Sequence, residues 1–217
     1  MLNDNYVHKG QRKQLVNALR QKGIHHPGIL EAFERIPRHF FLDSAFANQA
    51  YQDKPFSIGE GQTISQPYTV AFQTQLLEIQ PHEKVLEIGS GSGFQSCILL
   101  ALQANLYSVE VIKTLHLRAK KMASLLNLEK QAHFYHTDGT KGLPKYAPYQ
   151  KILVTAGAPI IPTPLIKQLA IGGKLVIPVG DSEQQVMLRI TKERENAIRK
   201  EEFGHFSFVK LKGDHGW

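Results

Sequence analysis

Apolar residues in the first third of the chain recur at helical spacing twice and then lose their period. Between Tyr6 and Lys22, Val7, Leu15, Val16 and Leu19 stand among polar neighbours, and Gly23 follows as a stop, which predicts a helix. A second, shorter helix is expected from Pro27, a residue suited to a first helical turn. It places Ile29, Leu30 and Phe33 on one side, and Pro37 ends it. From Arg38 to Pro67 the chain is rich in aromatics and turn formers (HFFLD, YQDKPF, IGEGQTISQP) with no clean period. We read residues 1–66 as a helical and loop cap layered over the main body, with a loop at its end.

From Pro67 the pattern changes. PYTVAFQTQLLEI reads as a helix and KVLEIG as a short buried strand; GSGSG follows, then a helix from Phe94 to about Gln103 and a strand in NLYSVE. A long helix carries Ile112, Leu115, Ala119, Met122 and Leu126 at spacings of three or four. HFYHT and KILVTA read as strands around a polar loop from Asp138 to Tyr149, and the helix TPLIKQLA leads to the strand GGKLVIPVG. Alternation of strand and helix implies right-handed crossovers and a mostly parallel, twisted α/β sheet with helices on both faces. Near-continuous apolar strands such as VLEI and KILV agree with burial on two sides. After Gly180, QVMLRI, a charged strand from Ala197 to Phe203, and FSFVKL are separated by turns, so antiparallel strands are expected at the C-terminal end. The chain is read as one domain, with residues 1–66 as cap, 67–180 as core and 181–217 as antiparallel strands.

Composition narrows this little. The chain of 217 residues holds 26 Lys and Arg against 19 Asp and Glu, but opposite charges are interspersed, as on a solvated surface. No apolar run is long enough to span a bilayer, and the first residues lack the apolar core of a secretory leader, so a cytoplasmic protein without membrane contact is expected. One cysteine, Cys97, excludes an internal disulfide, and no Cys/His spacing suggests zinc; no metal is expected. Histidines such as His25, His26 and His39 are read as surface or structural. With no coiled coil or apolar seam, a monomer is expected.

The chemistry concentrates in Glu87-Ile88-Gly89-Ser90-Gly91-Ser92-Gly93, between a predicted strand and a predicted helix. Glycine is needed where backbone turns tightly and a ligand approaches without a Cβ in the way. Glu110, ending the next strand 110 − 89 = 21 residues on, suits ribose hydroxyls, with Val111 beside it. A dinucleotide loop would place glycine where Phe94 stands, and an acid two residues before the first glycine repels a pyrophosphate. That acid suits the ammonium of S-adenosylmethionine better; a dinucleotide and a plain turn stay open as alternatives. Asp138-Gly139, after the third strand, reads either as an acceptor for an adenine amino group or as a plain Asp-Gly turn. Thr155-Ala156-Gly157-Ala158-Pro159 offers no carboxylate or amide of the sort used to methylate exocyclic base nitrogens.

These residues resemble the protein-L-isoaspartate (D-aspartate) O-methyltransferase family. The resemblance is carried by GQTISQPY, VLEIGSGSGFQ, YSVE, TDG, KILVTAGAP and GGKLVIPVG, which run in order over most of the chain. It implies a Rossmann-like S-adenosylmethionine-dependent methyltransferase fold, S-adenosyl-L-homocysteine as product, and isoaspartyl-containing proteins and peptides as partners, with no nucleic acid. It also implies that Ser65 is the active-site serine, that Gln62, Thr63 and Ile64 border the cofactor, and that the C-terminal strand walls the peptide site. Lys210 replaces a proline often found there. Without the resemblance Ser65 reads as a helix N-cap ahead of Pro67. An RNA methyltransferase and a non-catalytic cofactor-binding protein are the competing functions.

Overall fold

The computed structural model describes residues 3–217. Helix α1 (Tyr6–Gln21) is capped by Asn5, whose side chain accepts from His8 N–H, and buries Leu15, Val16 and Leu19. Val7, expected on its apolar side, stands in solvent with Tyr6. Helix α2 (Pro27–Arg35) is capped by the His26 ring and buries Ile29, Leu30 and Phe33. The stretch expected to be irregular is more ordered: 3-10 turns at Arg38–Phe41 and Ser44–Gln49 precede a hairpin of β1 (Phe56–Gly59) and β2 (Gln62–Ile64). Its tip, Gly59-Glu60-Gly61, lies wholly in the left-handed region. There the two glycines relieve a strain that any other side chain would feel.

Helix α3 (Pro67–Leu77) leads to β3 (Lys84–Ile88), α4 (Phe94–Ala101), β4 (Asn105–Glu110), α5 (Lys113–Leu125) and β5 (Ala132–His136). The chain then crosses to β6 (Tyr149–Val154), α6 (Thr163–Gln168), β7 (Leu169–Gly180), β8 (Gln185–Arg194) and β9 (Ala197–Phe206). The seven-stranded sheet runs β5-β4-β3-β6-β7-β8-β9, parallel as far as β7 and antiparallel beyond. FSFVKL, expected as a further antiparallel strand, is instead an extended tail. Its first residue, Phe206, closes β9, and a parallel bridge joins Lys210 to Gly157 just beyond the end of β6. Gln185 Oε1 accepts from Phe208 N–H, which leads the tail away from β9.

Alternate residues of each central strand enter different cores. Val85, Leu106, Leu153 and Val176 face the N-terminal helices with Phe33, Phe41 and Phe94; Leu86, Ile88, Ile152 and Ile177 face α6. Helices α3 and α4 are buried almost all round, sandwiched between sheet and cap, and carry few charges for that reason. Successive strands leave β3 toward β4 on one side and β6 on the other. Their carboxyl ends therefore diverge at a switch point, where open α/β sheets leave a crevice. Among the described residues no helix is long and apolar enough to cross a membrane.

Candidate active site

A cavity of about 780 Å³, counting its open mouth, occupies that crevice. Its floor is the loop from Ile88 to Ser92; Glu110, Val111 and Ile112 form one end, and Thr155 and Ala156 continue from β6. Residues Gln62 to Ser65, from β2 and the residue after it, and Val209 to Lys212 of the tail complete its lining. Of the residues singled out from sequence, Gln62, Thr63, Ile64, Ser65, Gly89, Gly91, Glu110, Val111 and Gly139 line this space; Glu87, Gly93 and Asp138 do not.

The loop needs its glycines for different reasons. At Gly89 (φ +92°) a Cβ would come within 2.6 Å of Thr155 Oγ1. Gly91 (φ +51°) donates its N–H to Glu110 Oε2 at 2.8 Å. Gly93 (φ +86°) begins α4, and a Cβ there would lie 2.8 Å from Ala119 Cα, so it serves the close packing of α4 on α5 rather than a ligand. Glu110 also accepts from Ile112 N–H at 3.0 Å through Oε1. Each oxygen thus holds one backbone donor and keeps a lone pair, so the carboxylate is oriented without being exhausted.

Glu87 was expected at the rim beside an ammonium group and lies beneath the loop instead. The alternation that sends Leu86 and Ile88 to one face sends Glu87 to the other, against α4. It is fully buried; Oε2 accepts from Ser96 and Ser108 hydroxyls, while Oε1 has no partner. Burial, reinforced by the charge of Glu110, raises its carboxyl to about 7 against the opposing pull of the two hydroxyls.

Asp138 was expected to meet an adenine amino group. Its Oδ1 accepts from the N–H and hydroxyl of Thr140, and Oδ2 accepts from Asp214 N–H at 2.9 Å. Burial would raise this carboxyl, but the donors from Asp214 and Thr140 and the charge of Lys141 hold it below the usual range.

Ser65 does not cap α3. Gln66 occupies the cap position without a side-chain bond, and Asp53, distant in sequence, accepts from Tyr68 N–H at 2.8 Å. The Ser65 hydroxyl has no hydrogen bond among the described residues; its carbonyl accepts from Arg38 Nη1 at 2.9 Å. Arg38 is fully buried, also bonds the carbonyls of Ala50 and Lys54, and lies 5.2 Å from the Phe94 ring centroid. Burial draws its guanidinium down to about 9, against the partial opposition of Asp53 and Tyr51. Sequence reasoning missed Gln73, Gln95 and Thr155, which line the first cavity, and Arg38, which holds the Ser65 backbone; they carry no signal beyond being polar residues in apolar surroundings.

A second cavity opens on the far side of Ser65. It shares Thr63, Ser65 and Val209 with the first, and Pro55, Tyr68, Phe206 and Phe208 supply apolar walls.

Away from both, Asp4, His8 and His39 bring possible ligand atoms within 4.8 Å of one another. Both His39 nitrogens are engaged, by Tyr51 hydroxyl and Asn3 carbonyl, and Arg12 binds Asp4. The His8 and His39 rings stack rather than converge on a point.

The family model for protein-L-isoaspartate(D-aspartate) O-methyltransferase matches residues 10–216. The chain belongs to this family. A protein-L-isoaspartate O-methyltransferase from Cytophaga hutchinsonii is 53% identical over 216 residues, covering 100% of this chain and 97% of its own. One from Flavobacterium johnsoniae is 50% identical over 213 residues, covering 98% and 99%. A solved protein-L-isoaspartate O-methyltransferase superposes with TM-score 0.85 at 27% identity, covering 94% of this chain and 67% of that one. A Plasmodium falciparum structure described as a beta-aspartate methyltransferase in complex with S-adenosyl-L-homocysteine gives TM-score 0.81 at 24% identity, covering 93% and 98%, and shares the fold.

Proposed function

We infer that this protein is a protein-L-isoaspartate O-methyltransferase that takes its methyl group from S-adenosylmethionine in the loop-lined cavity and delivers it to a carboxylate entering the second cavity. The observation that carries this reading is the meeting of the two cavities at Ser65, whose hydroxyl is uncommitted. The first cavity suits the cofactor on its own chemistry. Glu110 keeps a lone pair on each oxygen for the two ribose hydroxyls, the glycines leave the loop open, and the Glu110 carboxylate disfavours a diphosphate. S-adenosylmethionine, when bound, supplies an electrophilic methyl on a sulfonium.

The residues have little proton work to do. An isoaspartyl α-carboxylate is ionised at neutral pH and attacks without a general base. What the chain contributes is alignment and exclusion of water. Ser65, with its backbone tied to Arg38, donates its hydroxyl to the incoming carboxylate, and Thr63 and Val209 form the walls between the cavities. The ester product then closes to a succinimide without further help, releasing methanol as the following backbone nitrogen attacks; hydrolysis returns some normal aspartate. The side-chain carboxylate of a D-aspartyl residue presents similar chemistry to the same site.

The test supplies methyl-labelled S-adenosylmethionine with peptides differing only in aspartyl or isoaspartyl linkage. Label is expected in base-labile ester on the isoaspartyl peptide alone; equal labelling of both, or of neither, refutes the assignment. Ser65→Ala is expected to cut turnover by about tenfold or more, the scale of a hydrogen bond to a charged group, while cofactor affinity stays near parental.

A further inference from the structure

Five aromatic rings gather where α3 meets the end of β9 and the tail, and their arrangement depends on one irregularity of the strand. Leu188 and Val186 of β8 pair with Glu202 and His205, so β9 takes three residue steps where β8 takes two. The extra residue makes a bulge, with Gly204 in the left-handed region (φ +75°). Phe203 and Phe206, three apart, belong to opposite faces of a regular strand. The bulge turns both toward Phe72 of α3, with ring centroids 6.3 and 5.7 Å from it. Tyr68, one helical turn before Phe72, stacks on it at 5.6 Å, and Phe208 lies 6.4 Å from Phe206.

All five rings are half-buried. Tyr68, Phe206 and Phe208 line the second cavity, whereas Phe72 and Phe203 do not, so the band of rings leaves the cavity and continues over α3 and β9. The cations beside it are already paired. Lys22 Nζ, 5.6 Å from the Tyr68 centroid, binds Asp53; Arg189, 5.1 Å from the Phe203 centroid, binds Glu78 and Glu201. The half-exposed ring surface is therefore flanked by neutralised charges, which suits an apolar guest better than an acidic or basic one.

We propose that this band seats an apolar side chain, best an aromatic one, a few residues from the substrate's isoaspartyl carboxylate, so that the enzyme favours damage in apolar segments over damage in charged loops. This rests on reading the second cavity as the entry for that carboxylate. A guest ring laid on the band takes apolar area of both partners out of water and gains ring-to-ring attraction. Apolar segments are those a folded protein keeps inside, so they reach the band only where the damaged protein has opened. Phe72, Phe203 and Phe206 act here on substrate affinity and touch no reacting atom.

The test measures methyl transfer to isoaspartyl peptides of glycine and serine in which one position is varied. That position is moved up to about five residues to either side, roughly 16 Å of extended chain. Phenylalanine is expected to lower KM about tenfold relative to serine at one or two positions on one side only, with kcat nearly unchanged. Glutamate and lysine at the same positions are expected to behave as serine does. Phe203→Ser is expected to bring the KM ratio of the serine and phenylalanine peptides close to one. A purely structural role for Phe203 shifts both peptides alike and leaves that ratio standing. Phe203→Leu, which keeps the packing and loses the ring, is expected to give an intermediate ratio and carries the test should Phe203→Ser fold poorly. The proposal is overturned if the flanking residue makes no difference to the parent, if phenylalanine acts equally on both sides, if glutamate or lysine serves as well, or if both Phe203 variants keep the parental ratio. A parent that methylates no isoaspartyl peptide of the series overturns the reading of the cavity, and the proposal with it.

Discussion

Replacing Glu87 by glutamine isolates the cost of an ionisable group sealed beneath the glycine loop. The side chain is fully buried, and its carboxyl is raised from 4.5 to about 7, first by burial and then by Glu110. In the unfolded chain the same group titrates at its ordinary value. Between pH 4.5 and 7 the folded state therefore holds a proton that the unfolded state has lost, and stability falls as pH rises through that window. Above pH 7 the full penalty applies, about 3 kcal/mol at 1.36 kcal/mol for each pH unit between the two values. Glutamine is the neutral near-isostere of the protonated acid: its oxygen accepts from the hydroxyls of Ser96 and Ser108, and its amide NH2 stands where the acid would carry its proton. Glu87→Gln is thus expected to match the parent near pH 4.5 and to exceed it by about 3 kcal/mol at pH 8, or about 6–12 °C in Tm for a chain of this size. Urea unfolding of parent and variant from pH 4.5 to 8 reads the difference directly. A difference that stays flat across this range, or a variant less stable than the parent at pH 8, refutes the reasoning, because only a proton held by the folded state makes the gap grow with pH.

Two further predictions concern residues that hold the site from outside. Arg38→Lys leaves one ammonium where a planar fork bonded the carbonyls of Ala50, Lys54 and Ser65, so stability is expected to drop by about 2–4 kcal/mol and turnover to fall as the Ser65 backbone loosens. Thermal melts with steady-state rates check this, and parental values for both would contradict it. Gly93→Ala forces a Cβ to 2.8 Å from Ala119 Cα at a left-handed position and is expected to cost about 2–4 kcal/mol. Gly91→Ala shares the left-handed strain (φ +51°), about 1–2 kcal/mol, but meets only ordinary contact with Ile58 at 3.7 Å, so it is expected to cost less stability than Gly93→Ala and to harm cofactor binding more. Melting and calorimetry on the pair should reverse their order; equal melting points would defeat the packing account of Gly93.

Much of the sheet was legible because its signals are local. Strand and helix periods alternate from Lys84 to Gly180, and the glycine loop announces itself between two elements whose types are clear. Glu110 was legible for the same reason, since it closes a recognisable strand. The hairpin at Phe56–Ile64 was missed because its strands are too short to show alternation and its glycines read as loop. FSFVKL alternates like a strand, but Phe206 closes β9 and the rest meets only Gly157 beyond the end of β6, so its period is spent on lining a cavity and packing against Gln185 and Gly157.

Acid residues were harder to place than glycines. Glu87 and Asp138 stand at positions where the loop and strand pattern invites a ligand, yet the first serves Ser96 and Ser108 and the second serves Thr140 and Asp214. Nothing in a linear pattern distinguishes an acceptor aimed at a ligand from one aimed at the chain's own donors, because those donors lie up to 76 residues away. Arg38 and Asp53 are the reverse case: each looks like an ordinary surface charge and is consumed inside the cap, one tying down Ser65 and the other capping α3.

What the sequence by itself determined, then, was the order and kind of the elements, the crevice their alternation implies, and the glycines that keep it open, since these follow from backbone sterics and from which face of each element must leave water. Tertiary structure alone decided that Glu87 is sealed below the loop and that Asp138 accepts from Thr140 and Asp214, so that of the three carboxylates Glu110 is the one that lines the cavity. Those outcomes depend on directions and distances between side chains brought together only when the sheet, the cap and the tail close on one another.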